Sequence, residues 1–417
     1  QSDLTIDAGL YPPVDIELEK TFVSAVLQPN GSYNVTYNIT VANLGGPGQY
    51  DLSDAPSFDN DITINSATYS SSIPTGGPLA GSGPWTLAND QAIVGFTTHT
   101  YTLVVNVNLN TNGGSGDDIY TACGSTTGTP QPGEGLYNRS SVDTNNDGTP
   151  EDEDDACGDL PNIILDKNFV SATVQLNGSY NVVYTIAVTN NGGATGTYGL
   201  KDTPGFENDV TINSGSYTGE AAGALNTTGS TTLATNNAIA AGATETFTLT
   251  YNVTLDLNAN STDGGDNVYT ACGTAGPNGN GIPGQGLYNL AELDTNNDGQ
   301  PDRNDDACGD LPNIILDKTF VGATVQPNGS YNVVYTIAVT NNGGATGTYG
   351  LKDTPGFEND VTINSGSYTG EAAGTLNTTG ATTLATNNAI AAGATETFTL
   401  TYNVTLDLNA NSTDGGD

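Results

Sequence analysis

The chain repeats itself at an interval of 151 residues, as the matching DDACGD segments around Cys157 and Cys308 show. The run from Lys318 to Asp417 repeats the run from Lys167 to Asp266 with five substitutions. A more divergent first copy keeps segments such as KTFVSAVLQPNGSYNV and DDIYTACG. Repeats of this length are whole domains in tandem rather than the short repeats of solenoids. The predicted organisation is the end of a preceding β domain at 1–13, complete units at 14–158 and 159–309, and a third unit at 310–417 that stops before its own acidic loop.

Strand signals dominate each unit. In SYNVTYNITV, apolar side chains alternate with Asn and Thr, so one face of a strand would be core and the other solvated. The segment TFTLTYNVTLDL alternates in the same way, and Gly-, Asn- and Pro-rich turns separate such runs. Helical periodicity is hard to find. The sequence therefore predicts an all-β protein made of tandem Ig-like antiparallel β-sandwich domains in an extended array.

The charge balance limits the partners. The chain has 46 acidic and 7 basic residues and a formal net charge of −39. A surface of this sign repels nucleic acid and anionic lipid and attracts cations. No apolar run approaches the ~20 residues of a membrane helix, so no membrane insertion is expected in this segment.

The order of several short motifs suggests a family. LDKTF, VVYTIAVTNNGG, LKDTPGF, FTLTYNVTL and GLYNLAELD follow one another as in the Ig-like conserved repeats of large prokaryotic surface proteins, which this chain resembles. The opening DLTIDAGLYPP resembles the closing strand of a serine-aspartate-repeat type B domain. The resemblance implies an exported, extracellular protein of the cell surface with an adhesive or structural role.

Two acidic stretches, 143–159 and 294–310, have the spacing of a calcium loop. Oxygen-bearing side chains occupy positions one, three, five, nine and twelve, glycine occupies position six, and position seven offers its carbonyl. Aspartate at position twelve resembles the calcium loops of the dockerin and thrombospondin type. The alternative is a solvated acidic turn, whereas a single histidine and isolated cysteines disfavour zinc. The expected Ca²⁺ ligands are Asp143, Asn145, Asp147, Thr149, Glu151 and Asp154 in the first loop and Asp294, Asn296, Asp298, Gln300, Asp302 and Asp305 in the second. Because another unit follows each loop, bound calcium is expected to stiffen a junction.

The four cysteines form one pair per complete unit, Cys123 with Cys157 and Cys272 with Cys308. In an exported chain, even pairing at repeated positions indicates disulfides, with free core thiols as the alternative. Such a bond would tie the YTACG strand to the end of the acidic loop, and calcium and disulfide are expected to brace the same corner.

Each unit carries one lysine in its first strand. Ig-like families of surface stalks often join such a lysine to an asparagine of the last strand by an intramolecular isopeptide bond, assisted by a buried carboxylate. The resemblance implies Lys20, Asn138 and Asp54 in the first unit and Lys167, Asn289 and Asp202 in the second; Lys318 and Asp353 match in the third. A snorkelling or ion-paired lysine is the alternative.

Catalysis is not expected. The one histidine, His99, is replaced in the later units, so no histidine-dependent triad can repeat.

The expected function is a structural or adhesive shaft of an extracellular bacterial surface filament or giant adhesin, rigidified by calcium and disulfides. Its partners would be other repeats of the same chain and lateral copies of itself. One alternative is a module that binds a surface glycan or a host protein. The first unit is the better candidate for it, because the loop SSSIPTGGPLAGSGPW is peculiar to this unit and is expected to expose Trp85. Another is a surface-layer or sheath component.

Overall fold

A computed structural model describes residues 12–111, 113, 116–258, 265–275 and 280–407. These residues form strands, turns and irregular connections, which confirms the all-β class. The predicted end of a preceding domain, 1–13, lies almost entirely outside the described residues. The described residues also contain no helix of the length and apolarity needed to span a membrane.

The first unit is a two-sheet sandwich. One sheet has the order β1-β2-β7-β4-β5 and the other β6-β3-β8-β9, with all pairs antiparallel. The arrangement β1-β2-β7-β4 against β3-β8-β9 is that of an immunoglobulin sandwich, with β5 and β6 as additions. The strands are β1 (Ile16–Leu27), β2 (Tyr33–Asn43), β3 (Gly48–Pro56), β4 (Ile62–Ser71), β5 (Gly76–Leu79), β6 (Trp85–Ile93), β7 (Thr98–Leu109), β8 (Asn138–Asp143) and β9 (Asp152–Ala156).

The second unit repeats this topology, with sheets β10-β11-β16-β13-β14 and β15-β12-β17-β18. Its strands are β10 (Ile163–Val174), β11 (Tyr180–Asn190), β12 (Gly196–Pro204), β13 (Val210–Thr218), β14 (Gly223–Ala224), β15 (Thr231–Ile239), β16 (Thr244–Leu255), β17 (Asn289–Asp294) and β18 (Arg303–Ala307).

The third unit keeps the larger sheet, β19-β20-β25-β22-β23, and the pair β21-β24. Phe320 is 56% exposed, whereas Phe169 of the second unit lies against Gly309. The strands are β19 (Ile314–Val325), β20 (Tyr331–Asn341), β21 (Gly347–Asp353), β22 (Val361–Thr369), β23 (Gly374–Thr375), β24 (Thr382–Ile390) and β25 (Thr395–Leu406).

The core lies between the two sheets of each sandwich. The predicted inward face of β2 is confirmed, because Val35, Tyr37, Ile39 and Val41 are fully buried while the residues between them are not. Each such side chain contributes ~1.5–3 kcal/mol through removal of apolar surface from water. The alternation is therefore the main determinant of this fold.

Carboxylates close the open side of the sandwich between β1 and β9. The backbone N–H groups of Leu18 and Lys20 donate to Asp152 Oδ2 at 2.8 Å and Asp154 Oδ2 at 2.6 Å. In the second unit, the N–H of Lys167 donates to Asp305 Oδ2 at 2.6 Å. These side chains satisfy edge amides that would otherwise be open to pairing with another chain.

Candidate functional site

The first acidic loop connects β8 to β9 and folds around Asp143. Asp143 Oδ1 accepts the N–H groups of Asn145 (3.1 Å) and Asn146 (2.7 Å), and Oδ2 accepts that of Gly148 (2.9 Å). Gly148 has φ +82°, as expected for the glycine of a tight calcium loop. Burial acts to raise the pKa of Asp143, but these backbone donors outweigh it and hold that pKa below its usual value.

Three carboxylates converge in this loop. Asp143, Asp147 and Glu151 each place an oxygen within 4.8 Å of the others. That spacing is compatible with oxygens arranged around one Ca²⁺, whose Ca–O distances are ~2.3–2.6 Å. Asn145 Nδ2 donates to Glu151 Oε1, so the predicted ligands at positions one, three, five and nine lie together. The backbone N–H of Thr149 donates to Asp147 Oδ1 at 2.7 Å.

The second acidic loop, between β17 and β18, shares part of this hydrogen-bond pattern. Gly299 N donates to Asp294 Oδ2 at 2.9 Å, and Gln300 N donates to Asp298 Oδ1 at 2.7 Å. Asn296 Nδ2 donates to Asp302 Oδ1 at 3.2 Å. Asp294 Oδ1 is buried and accepts no hydrogen bond, which fits a cation ligand. The donor set of both loops, all oxygen, suits a hard cation such as Ca²⁺.

Position twelve lies outside both loops. Asp154 and Asp305 belong to β9 and β18, and their carboxylates accept backbone amides of β1 and β10. Glu151 is therefore the third carboxylate of the first loop. The spacing alone could not show this, because the competing partner lies 134 residues away in the sequence.

The second acidic loop lies against the preceding unit, not the following one. Arg303 Nη2 donates to Thr111 Oγ1 of the first unit at 2.7 Å. Tyr33, at the start of β2, and Asp302 line one groove, and burial with the Asp302 charge raises the pKa of Tyr33 to about 12. The loop faces the preceding unit because β18 runs antiparallel to β17. The chain therefore returns along the whole hairpin before it enters the next unit.

Both predicted disulfides are present, Cys123 to Cys157 and Cys272 to Cys308. Cys157 directly follows β9, whereas the acidic loop precedes it. The disulfide and the loop therefore occupy opposite ends of the β8–β9 hairpin, and the expectation that they brace the same corner is wrong.

Hydrogen bonds fix the linker after each disulfide in the same way. Tyr120 Oη and Cys123 N donate to Asp159 Oδ1, both at 3.0 Å, and Tyr120 Oη accepts Leu160 N at 2.8 Å. At the next junction, Tyr269 Oη and Cys272 N donate to Asp310 Oδ1 at 3.1 and 2.9 Å. Farther along each linker, the N–H groups of Asn162 and Asn313 donate to Asn190 and Asn341 of the following unit. Each linker is thus bonded to both of its units.

The first-strand lysines of the two complete units form buried ion pairs. Lys20 Nζ contacts Asp54 Oδ2 and Lys167 Nζ contacts Asp202 Oδ1, and all four side chains are 0% exposed. Burial lowers the pKa of Lys20 and Lys167, although the neighbouring carboxylates oppose that shift. A snorkelling lysine is therefore wrong for these two positions.

The matching asparagines lie beside these pairs. Asn289 Nδ2 donates to Asp202 Oδ2 at 3.2 Å, so Lys167 and Asn289 share one carboxylate. Asn138 is fully buried, and neither of its side-chain polar atoms has a hydrogen-bond partner. In the third unit, Lys318 contacts Asp353, but the lysine side chain is 37% exposed.

A third set of acids was not predicted from the sequence. Glu207, Asp209 and Asp266 each place one oxygen within 4.8 Å of the others. Burial raises the pKa of Glu207, and of Asp61, the counterpart of Asp209 in the first unit. The sequence feature that could have predicted these acids is a repeated pair of motifs. FDND precedes DDIYTACG in the first unit, and FEND precedes DNVYTACG in the second.

The residues considered for other functions are ordinary structural residues. Trp85 is 3% exposed and its Nε1 donates to Ala80 O at 3.1 Å, so the expectation of an exposed tryptophan is wrong. His99 lies in β7, and its Nδ1 shares a hydrogen bond of 2.7 Å with Tyr50 Oη. Burial lowers the pKa of His99.

No protein-family model matches the chain, and no curated protein matches it. Among solved structures, it is similar to a BSP domain of a biofilm-associated protein, with 8% identity, coverage of 94% of this chain and 91% of that chain, and a TM-score of 0.22. It is also similar to the exo-chitosanase CsxA of Amycolatopsis orientalis, with 11% identity, coverage of 73% and 28%, and a TM-score of 0.20. A red sea bream transglutaminase matches with 9% identity, coverage of 70% and 31%, and a TM-score of 0.18.

Proposed function

We propose that this chain is a non-catalytic, extracellular shaft that sets reach and stiffness for a cell-surface filament or adhesin. The observation that carries the proposal is the repeated junction. Each described linker is hydrogen-bonded to the unit before it and to the unit after it through the same residue types. A chain of near-identical units with fixed linkers has a defined length and transmits force along it.

Two further features support a mechanical role. The acidic loop of the second unit packs on the first unit, so a cation held there would fix the loop at the junction. A disulfide lies at the opposite end of the hairpin, beside the outgoing linker. Disulfides also fit an oxidising, extracellular location. Each complete unit thus has a brace near both of its ends.

Single-molecule pulling of the full chain tests the mechanical role. We expect stepwise unfolding of discrete units, in which the disulfide shields the segment between Cys123 and Cys157, a sequence separation of 34, from extension. In an Asn138→Ala background, where no bond between Lys20 and residue 138 can shield this segment, reduction should lengthen that unit's step by ~120 Å, at ~3.5 Å per residue. The Cys123→Ser/Cys157→Ser variant should show the longer step without reductant. Smooth extension at low force, without steps, would contradict a shaft.

The buried lysines carry a second proposal, an isopeptide bond within each complete unit. Lys167 Nζ would attack Cγ of Asn289, the new C–N bond would form, and Nδ2 would leave as ammonia. Asp202, within hydrogen-bonding reach of both side chains, would pass the proton from the amine to the leaving group. The burial that lowers the lysine pKa favours the neutral amine that this attack requires.

The mass of the intact chain tests this bond. We expect a loss of one ammonia for each complete unit, hence two for this chain, because Lys318 has no matching asparagine in it. Asn138→Ala and Asn289→Ala should each restore one ammonia. Their matched control is Asn313→Ala, which removes an asparagine side chain that belongs to no lysine site and should leave the loss at two. The full unmodified mass would show that the lysines are ion pairs only.

A further inference from the structure

In the second unit, carboxylates cluster at the turn between β12 and β13. This turn lies at the end of the unit away from its acidic loop. Glu207 and Asp209 are 3% and 0% exposed, and Asp266 lies beside them at the surface. We call Glu207, Asp209 and Asp266 the buried acid cluster.

The hydrogen bonds of the buried acid cluster leave one buried oxygen without a partner. Asp209 Oδ1 accepts the N–H of Asn267 at 3.1 Å, and a Glu207 carboxylate oxygen accepts the N–H of Asp209 at 2.9 Å. Asp209 Oδ2 is buried and has no hydrogen-bond partner. None of the ion pairs found among the described residues includes these acids. A fully buried carboxylate oxygen without donor or counter-charge is costly, so the site requires a cation or a proton.

The first unit repeats the arrangement with a different acid. Asp59 and Asp61 are 2% and 0% exposed, the N–H of Asp118 donates to Asp61 Oδ1 at 3.1 Å, and Asp61 Oδ2 has no partner. A Cβ added at Gly116 would lie 2.0 Å from Asp61 Oδ1, and one at Gly265 would lie 1.6 Å from Asp209 Oδ1. The backbone thus wraps the same carboxylate in both units, although Asp59 replaces Glu207.

We propose that the buried acid cluster binds a calcium ion, and that Asp59, Asp61 and Asp117 form the counterpart in the first unit. The donors are all oxygen, and they come from one tight turn and one loop, which suits a hard cation with flexible coordination better than a soft metal. This site is separate from the acidic loops and does not depend on calcium being bound there.

The test needs a chain in which the acidic loops no longer bind. Asp143→Asn, Asp147→Asn, Asp294→Asn and Asp298→Asn together give a loop-disabled chain. Into it we would introduce Asp209→Asn or, as the matched control, Glu220→Gln, which removes the same charge from an exposed residue of the same unit. Bound Ca²⁺ would be counted by equilibrium dialysis at ~5 mM, above the ~10⁻⁴–10⁻³ M dissociation constants of extracellular modules.

We expect Asp209→Asn to lower the count by one ion per chain and the control to leave it unchanged. In chelator, Asp209→Asn should melt at or above the temperature of its parent, since it removes an unpaired buried charge. Calcium should raise the melting temperature of this variant less than it raises that of the parent. If the loop-disabled chain does not fold, the same pair of substitutions in the natural sequence must still differ by one ion. Equal ion counts for Asp209→Asn and Glu220→Gln would overturn the proposal. So would an equal drop in melting temperature with and without calcium, because that would indicate a role in the turn alone.

Discussion

The carboxylate beside each first-strand lysine accepts a hydrogen bond from a hydroxyl group in every unit, but the hydroxyl comes from different strands. In the first unit, Ser140 Oγ donates to Asp54 Oδ2 at 2.8 Å. In the second, Ala291 takes the place of Ser140 opposite the aspartate, and Tyr251 Oη donates to Asp202 Oδ2 at 2.7 Å. The donor is retained while its source changes, as expected if a buried carboxylate must be satisfied.

The lysine of this site provides a matched pair of substitutions. In an Asn289→Ala background, where no isopeptide bond can form, Lys167→Ala should destabilise the second unit by ~3–5 kcal/mol, because it leaves Asp202 charged and buried without its partner. Lys318→Ala should cost clearly less, since the Lys318 side chain is 37% exposed in an almost identical sequence. Calorimetric unfolding of the full chain, with each transition assigned to its unit, measures both changes. Equal losses would mean that burial of the pair does not determine its contribution.

At the scale of elements, the alternation of apolar and polar residues predicted the strands well. It could not predict the edge of the sandwich. The roles of Asp152 and Asp154 depend on β1 and β9 meeting across the two sheets, and nothing local marks this. The Gly/Pro-rich stretch before Trp85 predicted an exposed loop, whereas β5 and β6 form there and the indole is buried. In both places tertiary packing overrode the local signal.

Calcium removal tests the acidic loops as elements. We expect chelation to lower the melting temperature of the full chain, because Asp143, Asp147 and Glu151 repel one another once the ion is gone. Asp147→Asn should reduce this calcium-dependent change, whereas Glu220→Gln should not. If the parent chain melts at the same temperature in calcium and in chelator, calcium does not stabilise the acidic loops.

At the scale of the whole molecule, the described junctions repeat one design. The linker that follows each disulfide is hydrogen-bonded to both neighbouring units, and the loop of the later unit covers the first junction. Arg303, one of only 7 basic residues in the chain, lies at this junction, and burial lowers its pKa. Stiffness would thus arise at the joints as well as within the sandwiches.

Small-angle scattering of the full chain, in calcium and then in chelator, measures whether calcium stiffens the first junction. We expect a rod in calcium whose maximum dimension falls in chelator as the first junction bends. Asp294→Asn/Asp298→Asn, which leaves the buried acid cluster intact, should show the bent form even in calcium, while Glu220→Gln should scatter like the parent. A compact or flexible particle that scatters identically with and without calcium would contradict a calcium-braced shaft.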